Sequence, residues 1–422
     1  MKKTLLALMF VLLTNATGYT QTFAPKTIPN GVGVNIHFKT GHEDHLDLIA
    51  AAGIKVVRMD FTWAGIERTK GEYDFSAYDE LTANLLKRGI QPLYILDYSN
   101  KLYEEVSTDK RGRKRVNAPT KDETIEAFAA WAKAAVDRFK DKGIIWEIWN
   151  EPNIGFWHPE PDVEMYNKLA HATCKAIREV DPDAIIVAPG TSRLPMDYLE
   201  KVFASGLLAE IDGVTVHPYR HRGVPPETVE PEYRELRKLI DKYAPEGKKG
   251  MPILSGEWGY TTAETDRGSN LEQQAQFIVR QQLTNVLWDV PVSIWYDWIN
   301  DGPDPKEHEH NFGIVNRDLS PKPSYTALKV MTTTLNGYRI ATRLDTGDGR
   351  DFVLVMTKSG APTKLVAWTI EEDRTVTIDT PLGGGALVVK GMLGEASNDS
   401  VSRADGKLTI KLTNSPIYIA AK

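Results

Sequence analysis

Residues 146–152 read Trp-Glu-Ile-Trp-Asn-Glu-Pro. An aromatic and aliphatic run stops here at a carboxylate, Glu151, held between Asn150 and Pro152. Proline lacks an N–H and has a fixed φ, so Pro152 cannot continue a central strand. Glu151 is therefore expected at the C-terminal tip of a buried strand. A carboxylate beside an amide and roofed by indoles suits proton transfer to a sugar oxygen better than it suits packing. A second tip of this kind occurs at Ser255-Gly256-Glu257-Trp258. Two such carboxylates point to the cleavage of glycosidic bonds.

Outward from this stretch, short apolar runs alternate with helical patterns. Strand candidates are 31–38, 54–60, 91–98, 144–150, 184–190, 213–219, 251–258 and 292–300. Most are rich in Val, Ile and aromatics and are bounded by Gly, Pro or Asp. Between them, residues 122–140 place Ile125, Phe128, Ala129, Ala132, Ala135, Val136 and Phe139 near helical spacing. Residues 163–180, 232–243 and 271–287 behave similarly. Strand and helix alternating in this way predict an α/β fold, a (β/α)8 barrel over residues 21–338. An open doubly wound sheet would want Gly-x-Gly-x-x-Gly after an early strand, and none occurs. After residue 338 the pattern changes to short strand candidates at 352–356, 364–368, 375–378, 386–389, 407–412 and 417–420, with no helix between them. This predicts a small C-terminal all-β domain, a sandwich, over residues 339–422.

The 422 residues fit one large barrel plus a smaller domain better than one small core. With 41% hydrophobic and 26% charged residues the composition is that of a soluble globular protein. A net charge of −6 gives no reason to expect nucleic acid or an anionic membrane as partner. Lys2 and Lys3, the apolar run 5–13 and the small residues Ala16-Thr17-Gly18 read as a signal peptide over residues 1–20. That run falls short of the roughly 20 residues that span a bilayer. Cys174 is the single cysteine, so no disulfide within the chain and no lipid attachment after the apolar run are expected. A periplasmic or secreted protein is the expectation.

In a barrel, reactive groups collect at the C-terminal ends of the strands. Those ends carry Asn35 and His37, Arg58 and Asp60, Asp97 and Tyr98, Asn150 and Glu151, His217 and Tyr219, Glu257 and Trp258, and Trp295, Trp298 and Asn300. Aromatic faces stack on the C–H faces of pyranoses, and the polar groups read hydroxyls. Two glutamates facing each other across the barrel mouth can flank a glycosidic bond, and retaining hydrolysis needs their carboxyls ~5–5.5 Å apart. A structural ion pair between Arg58 and Asp60 is the plainer reading of those two residues. For the tryptophans and histidines it is core packing.

Asn150-Glu151-Pro152 after the fourth strand and Glu257 ending the seventh resemble the clan A retaining glycoside hydrolases. Arg58, His217-x-Tyr219 and the tryptophans of the eighth strand match the same clan. With Asn153 and Gly155-Phe156-Trp157 the chain looks most like family 39 and its relatives. These include β-xylosidases, α-L-iduronidases and endoglycosidases of bacterial exopolysaccharide. His310-Asn311-Phe312-Gly313 and the Pro321-Lys322-Pro323-x-Tyr325 segment are similar to barrel ends there, so the resemblance covers about residues 30–335. It implies Glu151 as general acid/base and Glu257 as nucleophile. Asn150 would bond the sugar 2-hydroxyl, Tyr219 would contact the nucleophile and Arg58 would hold its charge. His37, Asp97, Trp157, His217, Trp258, Trp295 and Trp298 would complete the sugar site. The implied partner is a carbohydrate, with no metal or organic cofactor. Sugar, linkage, exo or endo action and oligomeric state stay open.

Other signals are weaker. Glu307-His308-Glu309-His310 lacks the His-Glu-x-x-His spacing and reads as a solvated loop. There is no Gly-x-Ser-x-Gly elbow and no P-loop. Lys110, Arg111, Arg113, Lys114 and Arg115 follow the third strand, and Arg220 and Arg222 follow the sixth. They are candidate contacts to an acidic sugar, although a flexible solvated loop is the favoured reading of residues 110–115. A carbohydrate-binding protein on an inactive barrel and a transglycosylase are the competing functions. The C-terminal domain either binds glycan or covers the barrel; Trp368 as its one tryptophan favours the cover.

Overall fold

Eight parallel strands close into a barrel in this computed structural model, which describes Phe23 and residues 26–422. The expected signal peptide falls on residues outside the described ones. The strands are β1 (Val32–Asn35), β2 (Val56–Thr62), β3 (Gln91–Asp97), β4 (Ile145–Ile148), β5 (Ile185–Ser192), β6 (Gly213–His217), β7 (Ile253–Trp258) and β8 (Ser293–Trp295). They pair in chain order, and β8 closes the ring on β1 with Val32 opposite Ser293 and Val34 opposite Trp295. Helices α1 (Glu43–Ala51), α2 (Ser76–Lys87), α3 (Asp122–Arg138), α4 (Val163–Val180), α5 (Met196–Ala204), α6 (Glu230–Tyr243), α7 (Leu271–Leu287) and α8 (Pro323–Thr334) follow them one by one.

Local chemistry sets these elements. Helix α3 buries Ile125, Phe128, Ala132, Ala135 and Val136 along one face. Helix α4 starts at Asp162, whose side chain accepts from the N–H groups of Glu164 and Met165. Helix α7 starts with a capping box between Asn270 and Gln273.

Two strands end earlier than their sequence suggests. Trp149 takes φ 67°, so β4 stops at Ile148 and the chain turns before Asn150. After Trp295 the chain leaves β8, because a returning segment supplies its partners: Ile314 N–H bonds Asp297 and Trp298 carbonyls at 3.1 Å, and Val315 N–H bonds Trp298 O at 3.2 Å. In the other direction β5 runs to Ser192, past Gly190 at φ 59°.

Residues 339–422 form two antiparallel sheets. The strands are β9 (Arg339–Arg343), β10 (Asp351–Thr357), β11 (Lys364–Thr369), β12 (Arg374–Asp379), β13 (Leu387–Lys390), β14 (Val401–Ala404), β15 (Lys407–Leu412) and β16 (Ile417–Ala421). One sheet runs β9-β10-β11-β16-β13 and the other β12-β15-β14. Val353, Leu365, Ile378, Leu408, Ile410 and Ile419 lie in the core between them.

The outer face of the larger sheet joins the barrel core through Phe352, Leu354, Met356, Val366, Trp368 and Tyr418. Trp368 stacks on Phe352 at 4.9 Å and donates its indole N–H to Glu227 at 2.7 Å. Glu227 also takes both a 2.7 Å and a 2.8 Å bond from Arg280 of α7. Helix α7 is thus buried on its polar side too, because the β-domain covers it. Burying a large apolar side chain is worth roughly 1.5–3 kcal/mol. Trp368 spends its surface on this seam rather than on a solvent-facing platform. No described helix is long and apolar enough to cross a membrane.

Candidate active site

The C-terminal tips of the strands open into a cleft of about 1090 Å³. Its floor is organised by one side chain. Arg58 of β2 is fully buried, and three of its nitrogens are spent on four neighbours. Nε donates to Glu147 Oε2 at 2.6 Å, Nη1 to Glu257 Oε2 at 2.7 Å and Nη2 to Asn150 Oδ1 at 2.9 Å. Nη2 also stands 3.2 Å from His217 Nε2. Burial opposes the charge on Arg58, but the carboxylates of Glu147 and Glu257 outweigh it and hold the guanidinium further upward.

These contacts assign the histidine tautomer. An arginine nitrogen can only donate, so His217 Nε2 must accept. The ring proton then sits on Nδ1 and is donated to Glu151 Oε1 at 3.0 Å. Among the described residues Glu151 Oε2 makes no hydrogen bond to the protein. The backbone aims this carboxyl: Glu151 takes φ 48° and its N–H bonds Gly190 O at 2.9 Å. Gly190 has to be glycine, since a Cβ there would stand 2.7 Å from Glu147 Oε1 on a left-handed backbone.

Both oxygens of Glu257 are held. Arg58 takes Oε2, and Tyr219 donates its hydroxyl to Oε1 at 2.7 Å. Burial and the adjacent Glu257 push the Tyr219 phenol well up, which keeps it a donor. Asn150 gives one amide proton to Tyr98 Oη at 2.9 Å and keeps a second for a ligand. One oxygen of Glu151, one of Glu257 and a nitrogen of His217 all lie within 4.8 Å of one another.

Of the residues expected from sequence, His37, Asn150, Glu151, Tyr219 and Glu257 line the cleft, with Asn35, Asp60 and Tyr98. Arg58, His217 and Asp97 lie buried beneath them. Arg58 makes no ion pair with Asp60; its acids are Glu147 and Glu257. Burial first, then the charge of Asp60, pushes the Asp97 carboxyl well up.

The tryptophans do not do what the strand tips suggest. Trp157, Trp258, Trp295 and Trp298 are all buried, at 1% exposure or less, and none lines the cleft. Trp157 packs on Trp149 at 5.0 Å, and the Trp298 indole N–H bonds His45 at 3.1 Å. The aromatic faces in the cleft are those of Tyr98, Phe156, Tyr219, Tyr260, Tyr296 and Phe312.

The basic loop is largely exposed, the reading favoured from sequence, and its acidic-sugar contact is not formed in the cleft. Residues Val106–Thr108 and Lys114–Val116 pair as a hairpin, where Arg113 and Arg115 close on Asp109 at 2.9 and 3.2 Å. Lys110 pairs with Glu160 at 2.9 Å, and none of these cations lines the cleft. Residues 307–309 are exposed as expected and His310 is half-buried, yet His308 and Glu309 reach the cleft wall.

Residues that sequence reasoning missed include Glu147, Asp297, Tyr296, Phe156 and Arg193. Glu147 stood inside the opening stretch. An acid in an otherwise apolar strand needs a buried cation, and Arg58 in β2 was the available signal.

Two clusters could hold a metal on spacing alone. In the first, Glu151, His217 and Glu257, the histidine nitrogen facing the carboxylates carries a proton and Glu257 is already bonded at both oxygens. In the second, His37 lies 3.0 Å from Asp297 and 4.0 Å from Asp301. Burial disfavours the imidazolium, but Asp297 dominates and pushes His37 up to about 10. Burial pushes Asp297 up to about 6 against the pull of His37. A protonated histidine is no ligand, so the pair acts as an ion pair facing the cleft.

Comparison with known proteins agrees with this geometry. The family model described as cellulase (glycosyl hydrolase family 5) matches residues 19–292. A β-xylosidase of Caldicellulosiruptor saccharolyticus is 23% identical over 286 residues, 64% of this chain and 58% of that protein. The chain thus spans somewhat over half the length of this curated relative. A 6-phospho-β-glucosidase of Clostridium longisporum is 24% identical over 200 residues, 40% of this chain and 41% of that one. Among solved structures, a family 39 glycoside hydrolase from Bacteroides cellulosilyticus WH2 aligns with a TM-score of 0.80 at 26% identity, covering 93% of this chain and 81% of the other. A monomeric β-xylosidase of Caulobacter crescentus CB15 shares the fold at a TM-score of 0.68 and 19% identity, covering 95% and 96%.

Proposed function

The chain belongs to the cellulase (glycosyl hydrolase family 5) family, and we propose that it hydrolyses an O-glycosidic bond of an oligo- or polysaccharide by double displacement with retention. The observation that carries this reading is the separation of Glu151 and Glu257, whose nearest oxygens lie within 4.8 Å. Retaining enzymes hold their carboxyls ~5–5.5 Å apart, whereas inverting enzymes leave about 6.5–9.5 Å for a water.

Each group has a task that its contacts fit. Glu257, held at both oxygens by Arg58 and Tyr219, attacks the anomeric carbon. Glu151 gives the proton on Oε2 to the departing glycosidic oxygen, while His217 holds Oε1. In the second half Glu151 takes a proton from water, the water oxygen bonds the anomeric carbon, and Glu257 leaves. The free amide proton of Asn150 meets the sugar 2-hydroxyl, an interaction that strengthens in the transition state.

Relatives named β-xylosidase and 6-phospho-β-glucosidase support a β-linked sugar as substrate. The signal-like residues 1–20 support action in the periplasm or outside the cell. Proton NMR of a running reaction on aryl β-glycosides tests the mechanism. The first product formed should have the anomeric configuration of the substrate, and an α-product from a β-glycoside would contradict it.

A further inference from the structure

Five basic side chains, Arg193, Arg220, His221, Arg222 and Arg267, line one arc of the cleft on the loops after β5, β6 and β7. The chain as a whole carries −6, so this arc is a local inversion of charge. Arg220 has an acid, with Nη2 at 3.1 Å from Glu232 Oε2, and lies over Trp258. The other three arginines have none. Among the described residues, no carboxylate oxygen lies within 4.0 Å of Arg193, Arg222 or Arg267. Arg193 reaches only His221 Nε2, at 3.4 Å, and Arg222 donates to the Asp266 carbonyl at 3.0 Å. Asp266 is the acid on this arc, and among the described residues its carboxylate makes no ion pair. All three arginines are exposed. A guanidinium fork without a carboxylate partner matches the two oxygens of a carboxylate or the face of a sulfate.

Their placement is built into the backbone. Arg193 takes φ 58°, a left-handed conformation that costs a side-chain-bearing residue on the order of 1 kcal/mol. Its N–H is pinned to His217 O at 2.9 Å. Asn153 and Ser192 bond each other reciprocally at 2.9 and 3.1 Å, tying the tip of β5 to the loop after Glu151. Arg193 therefore stands on the side of the cleft where Glu151 meets the leaving oxygen. The cleft wall from β8 through β1 to β2 carries Glu309, the His37–Asp297 pair and Asp60, so an anion is favoured on the arginine side.

We propose that Arg193, Arg222 and Arg267 form a subsite for an anionic sugar, carboxylated or sulfated, on the leaving-group side of the scissile bond. This rests on the glycosidase reading above. Calorimetric binding of matched oligosaccharides in the Glu151→Gln protein tests it without turnover. The probes are neutral, singly glucuronylated and singly sulfated tetrasaccharides on xylose and glucose backbones. A charged member should bind about tenfold tighter than its neutral partner at low salt and lose that advantage as salt rises. Arg193→Ala/Arg222→Ala/Arg267→Ala should bring the charged members to the affinity of their neutral partners. The two charged arms report which anion is preferred. Equal binding of charged and neutral members, or an advantage that survives the triple substitution, overturns the proposal. Hydrolysis of neutral aryl glycosides by the unaltered protein is scored separately, so failure of the anion subsite and failure of the glycosidase reading are distinguishable.

Discussion

Arg58 on the floor of the cleft and Arg222 on its rim are the same residue type in opposite situations. Arg58 is fully buried and meets two carboxylates, an amide and an imidazole. Arg222 is exposed and gives one N–H to a backbone carbonyl. A buried cation stays only if its partners are all in place, so the floor is assembled before any sugar arrives. A solvated cation needs no partner and can wait for one. On the proposed reading the floor carries chemistry and geometry, and the rim carries selection.

The largest test of that contrast strikes the nucleophile. Glu257→Ala should lower kcat roughly 10⁴-fold, since a covalent step disappears while the rest of the floor remains. Added azide should restore turnover and give a product with inverted configuration. Turnover near that of the unaltered protein would remove Glu257 from its role.

A second test strikes the same network without touching sugar. Glu147→Gln leaves Arg58 short of one buried carboxylate, and breaking such a pair costs roughly 3–5 kcal/mol. Urea unfolding should show that loss. The kcat should fall more than KM changes, because Arg58 would no longer aim Glu257. Unchanged stability and kcat would mean that Glu147 is incidental to the floor.

The smallest effect concerns a third kind of cation. Lys322 is buried with neutral oxygens only, those of Thr262, Asn300 and Asn311 at 3.1, 2.8 and 3.4 Å. Burial alone pushes its ammonium down to about 7 from 10.5. Between these values the unfolded chain binds the extra proton, so this group makes stability rise with pH across that window. Lys322→Met should abolish a slope of at most about 1.4 kcal/mol per pH unit, read as urea unfolding at pH 7 and 9. An unchanged slope would mean that Lys322 keeps its charge in the fold.

Much of the floor was legible in the chain because punctuation marks it. Pro152 and Gly256 bracket the two glutamates, and eight strand-like runs place them at the fourth and seventh strand ends. The tryptophans were not legible. At a strand tip the alternation of faces breaks down, and Trp149 at φ 67° shows how one residue can rotate everything after it. Trp258 and Trp295, the last residues of β7 and β8, are buried, while Tyr296 and Phe156, in the segments past their strands, line the cleft. The short β8 depended on a segment returning from residues 312–315, a contact that no local pattern announces. For the cations, the difference lay in nearby acids. Arg113 and Arg115 follow Asp109 in the same hairpin and close on it, whereas among the described residues no carboxylate lies within 4.0 Å of Arg193 or Arg267. The first fact was readable from spacing, and the second required the fold.

The most direct measurement is mass spectrometric mapping of the protein after reaction with activated aryl 2-deoxy-2-fluoro-β-glycosides, chosen from the sugars it is found to cleave. A pre-assembled floor with Glu257 as nucleophile predicts one covalent fluoroglycosyl adduct, on the peptide carrying Glu257 and on that side chain. An adduct on Glu151 or elsewhere, or cleavage of the substrate with no adduct and an inverted product, would contradict it.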